Sequence, residues 1–507
     1  KFYQFDPVLF DDSSPQTNVN LVGTLAPASM TVNAMQNYTL AGPGRITGSG
    51  GLTNLGTGKL FLQTSNDYTG TTVISAGTVV IGDGGTNGSV LPPIINDGAL
   101  VFNRSDEYFY SGAISGSGSL AQIGSGGLRL NVAATYAGPT TVENGWLRIS
   151  SGNNRLPTGT VLTLGSAGAV GKFYMGITTA AYSQQLAGLA SAGLGGSVVN
   201  GGHSDITEPT YSTLTLNTAG DYLFAGRLGG DVTNENNIAL VKTGTGKQTL
   251  SGMNTYTNTT TISTGTLALS GSGSIAGSSV ISVSSGATFD VSVVTGGYVL
   301  AGGQTLVGSG MVNGGVTVAA GATLSPGTGI GTLTINGDLT LTADSTNLFE
   351  VHTDTLAHDL VTGLNQVTYS GTLFISPSGS GSAVTNGASV KLFNAANYSG
   401  AFAAIVPAVP APGLVWDPSG LTVDGTLKVV SGISTIPTNL VFAVAGNALD
   451  ISWPADHVGW RLEGQTNSIG VGLSNNWFTV PGSADTNHMI LPIGTANGAV
   501  FYRLVYP

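Results

Sequence analysis

"GTGKLFLQTSNDYTGTTVISAGTVVI", residues 56–81, sets a frame that returns twice without a gap. It reads "GSGGLRLNVAATYAGPTTVENGWLRI" at 124–149 and "GTGKQTLSGMNTYTNTTTISTGTLAL" at 244–269. Each copy opens on Gly-x-Gly: Gly56 and Gly58, Gly124 and Gly126, Gly244 and Gly246. A tyrosine follows twelve residues after the first glycine (Tyr68, Tyr136, Tyr256), and nine further on comes another glycine (Gly77, Gly145, Gly265). Turn residues and apolar positions are kept, while the polar residues between them drift. A catalytic motif would hold its nucleophiles and acids instead, so the frame is architectural.

Apolar residues alternate inside each copy. Leu60 and Leu62 flank Phe61, Leu128 and Leu130 flank Arg129, and Leu147 and Ile149 flank Arg148. A period of two is that of a strand with one face inward. A shorter unit, Gly-x-apolar-x-apolar after a small turn residue, recurs at "NDGALVF" (96–102), "SGATFDV" (285–291) and "NGDLTL" (336–341). Gly265, Gly286, Gly303, Gly321 and Gly337 lie sixteen to twenty-one residues apart. Glycine accepts the left-handed backbone of a tight corner. One corner per turn of this length, each followed by a short strand, is the period of a solenoid. Stacked at about 4.8 Å, roughly twenty coils would make a rod on the order of 100 Å long. A hairpin sandwich is the rival, but two-residue hairpin signals are scarce.

Composition agrees. The 507 residues include 78 glycines without a three-residue period, and only 8% are charged although 41% are hydrophobic. Outward side chains in a stacked coil face their counterparts one strand spacing away, so like charges in register repel. The formal charge is −11, with 15 Lys and Arg scattered along the chain. No basic stripe is available for phosphates, which argues against nucleic acid as a partner. There is no cysteine for disulfides or thiolate metal sites. The longest apolar stretch, 401–416, is broken by Pro407, Pro410 and Pro412, so no membrane insertion is expected. Lys1 and the absence of an apolar leader read as a processed, mature form.

The stretch "GLTNLGTGKLFLQTSNDYTGTTVISAGTVVIG" resembles the autotransporter-associated β-strand repeat of bacterial passenger proteins. "FDDSSPQTNVNLVGTLAPASMTVN" and "TLSPGTGIGTLTINGDLTLT" resemble that family's opening and later coils, so the similarity covers roughly residues 8–430. The resemblance implies a right-handed parallel β-helix exposed outside the cell, secreted or at the cell surface. Nothing after residue 430 is long enough to close the family's membrane barrel. The expected fold is all-β: residues 1–12 an extended strand or cap, 13–430 a parallel β-helix of roughly 20-residue coils, 431–439 a linker, and 440–507 a small antiparallel β-sandwich. That last stretch holds Trp453, Trp460 and Trp477 and resembles a fibronectin-III-like module, with Trp453 in the buried-strand position.

Candidates for chemistry are few. Glu350, His352 and Asp354 would share one face of a strand in "FEVHTDTLAHD", with His358 and Asp359 nearby, as oxygen and nitrogen ligands to a divalent metal. Alternating polar residues are more often a solvent face, and no metal or cofactor is assigned. The acidic residues are dispersed, and no carboxylate pair is fixed by the repeat, so an enzyme is not expected. Tyr68, Tyr136 and Tyr256, with Tyr398 in a similar "NYSG" setting, read as core or corner aromatics before they read as a glycan face. A solenoid exposes strand edges at its ends. The N-terminal "KFYQFDPVLF" offers Phe2, Tyr3, Phe5, Val8 and Phe10 as an assembly contact, folded back on its own first coil or added to a neighbour's. The expected function is a subunit of an extracellular fibre, partnered head to tail by itself. The alternative is a monomeric adhesin for glycan or matrix polymers.

Overall fold

The computed structural model describes residues 2–91, 93–177, 179–200, 211–411, 414–494 and 498–506, so Lys1 and Pro412 of the segments above lie outside the described residues. The chain is all-β, a parallel solenoid of about 16 turns followed by small antiparallel sheets. It divides into two compact units: Lys1–Thr328 with Thr332–Leu339, and Gly329–Gly331 with Thr340–Pro507.

In the first unit, strands join partners from the next winding, not the next strand in sequence. One sheet runs from Pro7–Asp11 through Ser29–Asn33, Gly51–Asn54, Thr72–Ile74 and Ile94–Asn96 to Ile114–Ser115. A second runs from Asn18–Asn20 to Gly188–Ser191, and a third from Glu107–Tyr110 to Arg227–Leu228. Further parallel sheets begin at Gln184–Leu186 and Tyr222–Phe224. The turns are less uniform than a 20-residue period. Leu306 pairs with Leu324, eighteen residues on, whereas Gln184 pairs with Leu214, thirty on. Windings that take up to thirty residues are why there are fewer turns than the glycine spacing suggests.

The repeat frame spans one winding and its overlap. In the first copy Leu60 stacks on Val79, in the second Leu128 on Leu147, and in the third Gln248 on Leu267. The first copy's opening strand, Lys59–Leu62, lies in the second sheet, yet the second copy's Gly127–Leu130 lies in the third. The frame is thus a strand–corner–strand module that is not tied to one face. Inward Leu60, Leu62, Val79, Ile81, Leu128, Leu147 and Ile149 are fully buried, each contributing roughly 1.5–3 kcal/mol.

The frame glycines serve two needs. Gly77, Gly145 and Gly265 have φ of +63°, +61° and +67°, the left-handed corner expected. Gly56 and Gly58 are selected for room: a Cβ would come within 2.0 Å of the Ala34 carbonyl oxygen and 2.3 Å of that of Gln36, because corner backbones rest directly on each other.

The second unit continues parallel pairing, Thr346–His352 with Thr372–Ser378 and Ala404–Val406, and Leu360–Tyr369 with Phe393–Gly400. Antiparallel pairing then takes over, with Thr426–Ser431 flanked by Ser389–Lys391 and Leu414–Asp417. The C-terminal stretch forms two three-stranded antiparallel sheets around Ile451, Trp453, Leu462 and Val480. Trp453 is buried just beyond the strand Ala448–Ser452, not within it. Residues 431–439 are tied to this stretch, since Ser434 accepts from Trp460 Nε1 at 2.7 Å and Ile436 faces His457 Nε2 at 2.7 Å.

Gly145→Ala should combine left-handed strain with a clash, its Cβ falling 2.0 Å from the Gly126 carbonyl oxygen, whereas Gly286→Ala (φ +78°) meets nothing within 4 Å. We expect the first to cost about 2–4 kcal/mol in denaturant unfolding and the second about 1 kcal/mol. Equal losses would contradict the stacked corner.

Candidate functional site

The N-terminal segment enters the first winding as its opening strand, and the turn before that strand folds back on the winding's last corner. Pro7–Asp11 pairs in parallel with Ser29–Asn33. Before it, the chain folds into a turn: Tyr3 N donates to Asp6 Oδ2 at 3.1 Å, and Phe5, with φ +71°, donates its N–H to Ala26 O at 2.7 Å. Gln4 fixes this turn laterally, donating to Thr24 O at 2.9 Å and accepting from Ala26 N at 2.6 Å. Tyr3 and Phe5 are exposed and Phe2 marginally so. Val8 and Phe10 point inward above Met30 and Val32, and Phe10 packs 5.4 Å from the Tyr38 ring.

Inward side chains of this first winding, Val8, Phe10, Val19 and Leu25, are only half-buried. Their partners one winding on, Met30, Val32, Leu40 and Ile46, are buried. Pro7–Asp11, Asn18–Asn20 and Thr24–Leu25 are all terminal strands of their sheets. Among the described residues, this base combines unpaired strand edges with exposed core.

The repeat tyrosines are interior. Tyr68, Tyr136 and Tyr256 are buried, and each hydroxyl lies 2.6–2.7 Å from a threonine four residues on, Thr72, Thr140 or Thr260. Burial pushes these phenols above the usual tyrosine range. Tyr398 does not belong with them: it is half-buried, and its hydroxyl turns back to accept from Ala395 N at 2.9 Å.

One polar position in the frame does not drift in role. Two residues before the Gly-x-Gly stand Asn54, Gln122 and Lys242, all buried and all donating into the glycine corner. Asn54 Nδ2 donates to Ala76 O at 2.7 Å, and Gln122 Nε2 to Gly124 O at 3.0 Å and Gly126 O at 3.2 Å. Lys242 Nζ donates to Thr243 O at 2.7 Å and Gly244 O at 3.0 Å. Corner carbonyls that strand pairing cannot satisfy are met from within the core. Aligning N-x-G-x-G, Q-x-G-x-G and K-x-G-x-G would have revealed this donor.

The aspartates and histidines of 349–359 accept from neighbouring N–H and hydroxyl groups. Asp354 accepts from the N–H and hydroxyl groups of Ser380 and Ser382 at 2.7–2.9 Å, and the Ser380 hydroxyl is the main cause of its lowered pKa. Buried Asp359 accepts from Gly331 N at 2.8 Å and Glu350 N at 2.7 Å, and burial raises its pKa to about 6. His358 Nε2 accepts from Lys391 N at 3.2 Å, and His352 Nδ1 from Asp354 N at 3.4 Å. Glu350 and His352 alternate along Thr346–His352 as the pattern required, but among the described residues no three His, Asp or Glu side chains converge on a metal position.

A cluster with no motif in the linear sequence lies on the outer face of the third sheet. Arg129 and Arg148 sit directly in register, and Glu107 Oε1 lies 3.9 Å and 3.4 Å from them. Arg129 stands 4.6 Å from the Phe109 ring, and Arg148 stands 4.3 Å from Trp146 and 5.0 Å from Tyr174.

Comparison with known proteins matches the passenger-associated-transport-repeat family at residues 52–81, 120–149 and 240–282, the three copies of the frame. A stretch of 100 residues is 38% identical to the Adhesin BmaC autotransporter of Brucella suis biovar 1, covering 20% of this chain and 3% of that protein. The repeats are of the autotransporter passenger type, and the solenoid they build is that of a secreted or cell-surface protein. No helix among the described residues is long and apolar enough to cross a membrane.

Burial lowers the Lys242 pKa to about 8, below the ~10.4 of an unfolded lysine. Between these values the unfolded chain holds the extra proton, so stability rises with pH. Above about pH 10 the buried tyrosines reverse the slope, because unfolded phenols ionise first. We expect the denaturation midpoint to climb from pH 8 to 9.5, and Lys242→Gln, which copies Gln122, to flatten that climb. An unchanged slope in the variant would contradict the buried-lysine account.

Proposed function

We propose that this chain is an extracellular structural protein, a β-solenoid subunit that joins copies of itself end to end into a surface fibre. The reading rests on the first winding, where Val8, Phe10, Val19 and Leu25 leave core surface half-exposed beside unpaired strand edges. Such a base is a template for strand addition. A heterologous contact of this kind produces a filament when its rotation does not close a ring. The next subunit contributes the region where its parallel pairing ends, at Phe393–Gly400 and Ala404–Val406. Exposed Phe5 and Tyr3 rim the contact. The passenger-type repeats and the service of the acidic residues to the backbone support a non-enzymatic role.

A second reading, an adhesin for glycan or matrix, is favoured by the adhesin segment the chain resembles and by the cation–aromatic face of the third sheet. The two readings differ in what removes the activity.

Val19→Lys places a charge on the half-buried inward face of the open base. We expect light scattering and electron micrographs of the wild-type chain to show concentration-dependent filaments, and the variant to stay monomeric while losing about 1 kcal/mol in denaturant unfolding. A wild-type chain that stays monomeric at all concentrations, or filaments indifferent to the substitution, would remove the fibre reading.

A further inference from the structure

Two neighbouring columns on the outer face of the third sheet break the low-charge pattern of the chain. In one, Phe109, Arg129, Arg148 and Tyr174 follow each other in register over four windings. In the other, Glu107, Gly127, Trp146 and Lys172 do the same. Arg129 and Arg148 are therefore like charges one strand spacing apart, the arrangement that ladders disfavour.

The geometry is built. A Cβ on Gly127 would lie 2.1 Å from the Trp146 ring, so the missing side chain is what lets the indole lie against the sheet. Trp146 meets Tyr174 edge-on with ring centroids 5.9 Å apart. Arg129 is steered from below by its Nε bond to Ser150 Oγ at 3.1 Å, and Ser150 is buried. Aromatic rings thus stand beside both guanidinium groups, Arg129 against Phe109 and Arg148 against Trp146 and Tyr174, and leave the two side chains 21% and 11% exposed. Glu107, the carboxylate that faces them, stands at 3.4 and 3.9 Å, well beyond the ~2.7–2.9 Å of a tight charge-assisted bond. Arg129, Arg148 and Lys172 face Glu107, while Asp231 pairs with Arg227 and stands within reach of Lys172, and Glu235 lies near Tyr174, so cations are in slight excess here in a chain whose net charge is −11.

We propose that this face binds an acidic polysaccharide laid along the solenoid axis. Successive carboxylate or sulfate groups engage Arg129 and Arg148, Lys172 adds a third cation, and the ligand takes the place that Glu107 fills weakly. Arginine's planar fork suits such groups. The cluster is too small, and the rest of the surface too acidic, to hold a long nucleic acid. The site is separate from the end-to-end contact, so its fate does not depend on filament formation.

Affinity electrophoresis and calorimetry of the full chain at low salt, with polygalacturonate as probe, test this. We expect binding that weakens with salt, falls at least tenfold in Arg129→Gln/Arg148→Gln, and strengthens at least twofold in Glu107→Gln, which removes the competitor. Dextran sulfate tells sulfate from carboxylate as the bound group, and binding of either that follows these variants supports the site. Fully methyl-esterified pectin should not bind. No binding of either anionic polysaccharide by the wild-type chain, a folded double variant that binds like wild type, or equal affinity for duplex DNA would overturn the proposal. If the double variant does not fold, Glu107→Gln decides: a purely structural cluster predicts unchanged or weaker binding.

Discussion

Every position in the solenoid answers to one constraint, that each winding rests on the next at a single strand spacing of about 4.8 Å. Strands meet it through parallel backbone pairing. Corners meet it with more difficulty, because there backbone presses on backbone with little room between. Gly56 and Gly58 exist because the carbonyls of Ala34 and Gln36 lie where a side chain would begin. Carbonyls that turn away from the ladder at those corners are met from inside by Asn54, Gln122 and Lys242. The same spacing explains why small neutral residues dominate outside, since any charge would confront its own image above and below.

How much of this was legible in the sequence depended on whether the signal was local. Alternation of Leu60, Phe61 and Leu62 gave the strand and its inward face, and the recurring corner glycine gave the coil. Both are short-range patterns imposed by backbone geometry. The lengths of individual turns were not legible, because a corner can lengthen into a loop without disturbing the strands on either side. Nor was the partition of the chain into two compact units, which follows from packing and not from composition.

The proposed binding face was hidden for a different reason. Arg129 and Arg148 look unremarkable in a linear reading, each flanked by two leucine or isoleucine residues. Only when the strands are superposed do they fall in one column with Phe109 and Tyr174. Asp354, expected on a strand face with Glu350 and His352, and Asp359 nearby were legible only as residue types able to hold a metal; short acidic side chains near turns accept backbone N–H groups readily, and that use takes them first. The tyrosines were read correctly as core because a ring repeated at one point of every copy has to be accommodated by the stack.

The first copy of the frame enters the second sheet where the second copy enters the third. A unit that can begin in more than one sheet can be duplicated or spliced in by part of a revolution without breaking the parallel ladder. Such an event would turn the windings that follow it in the first unit, carrying a decorated side toward a new compass bearing while leaving the scaffold intact. Lineages built from this unit thereby gain a way to re-aim a surface by changing how much chain precedes it, with no substitution in the surface itself.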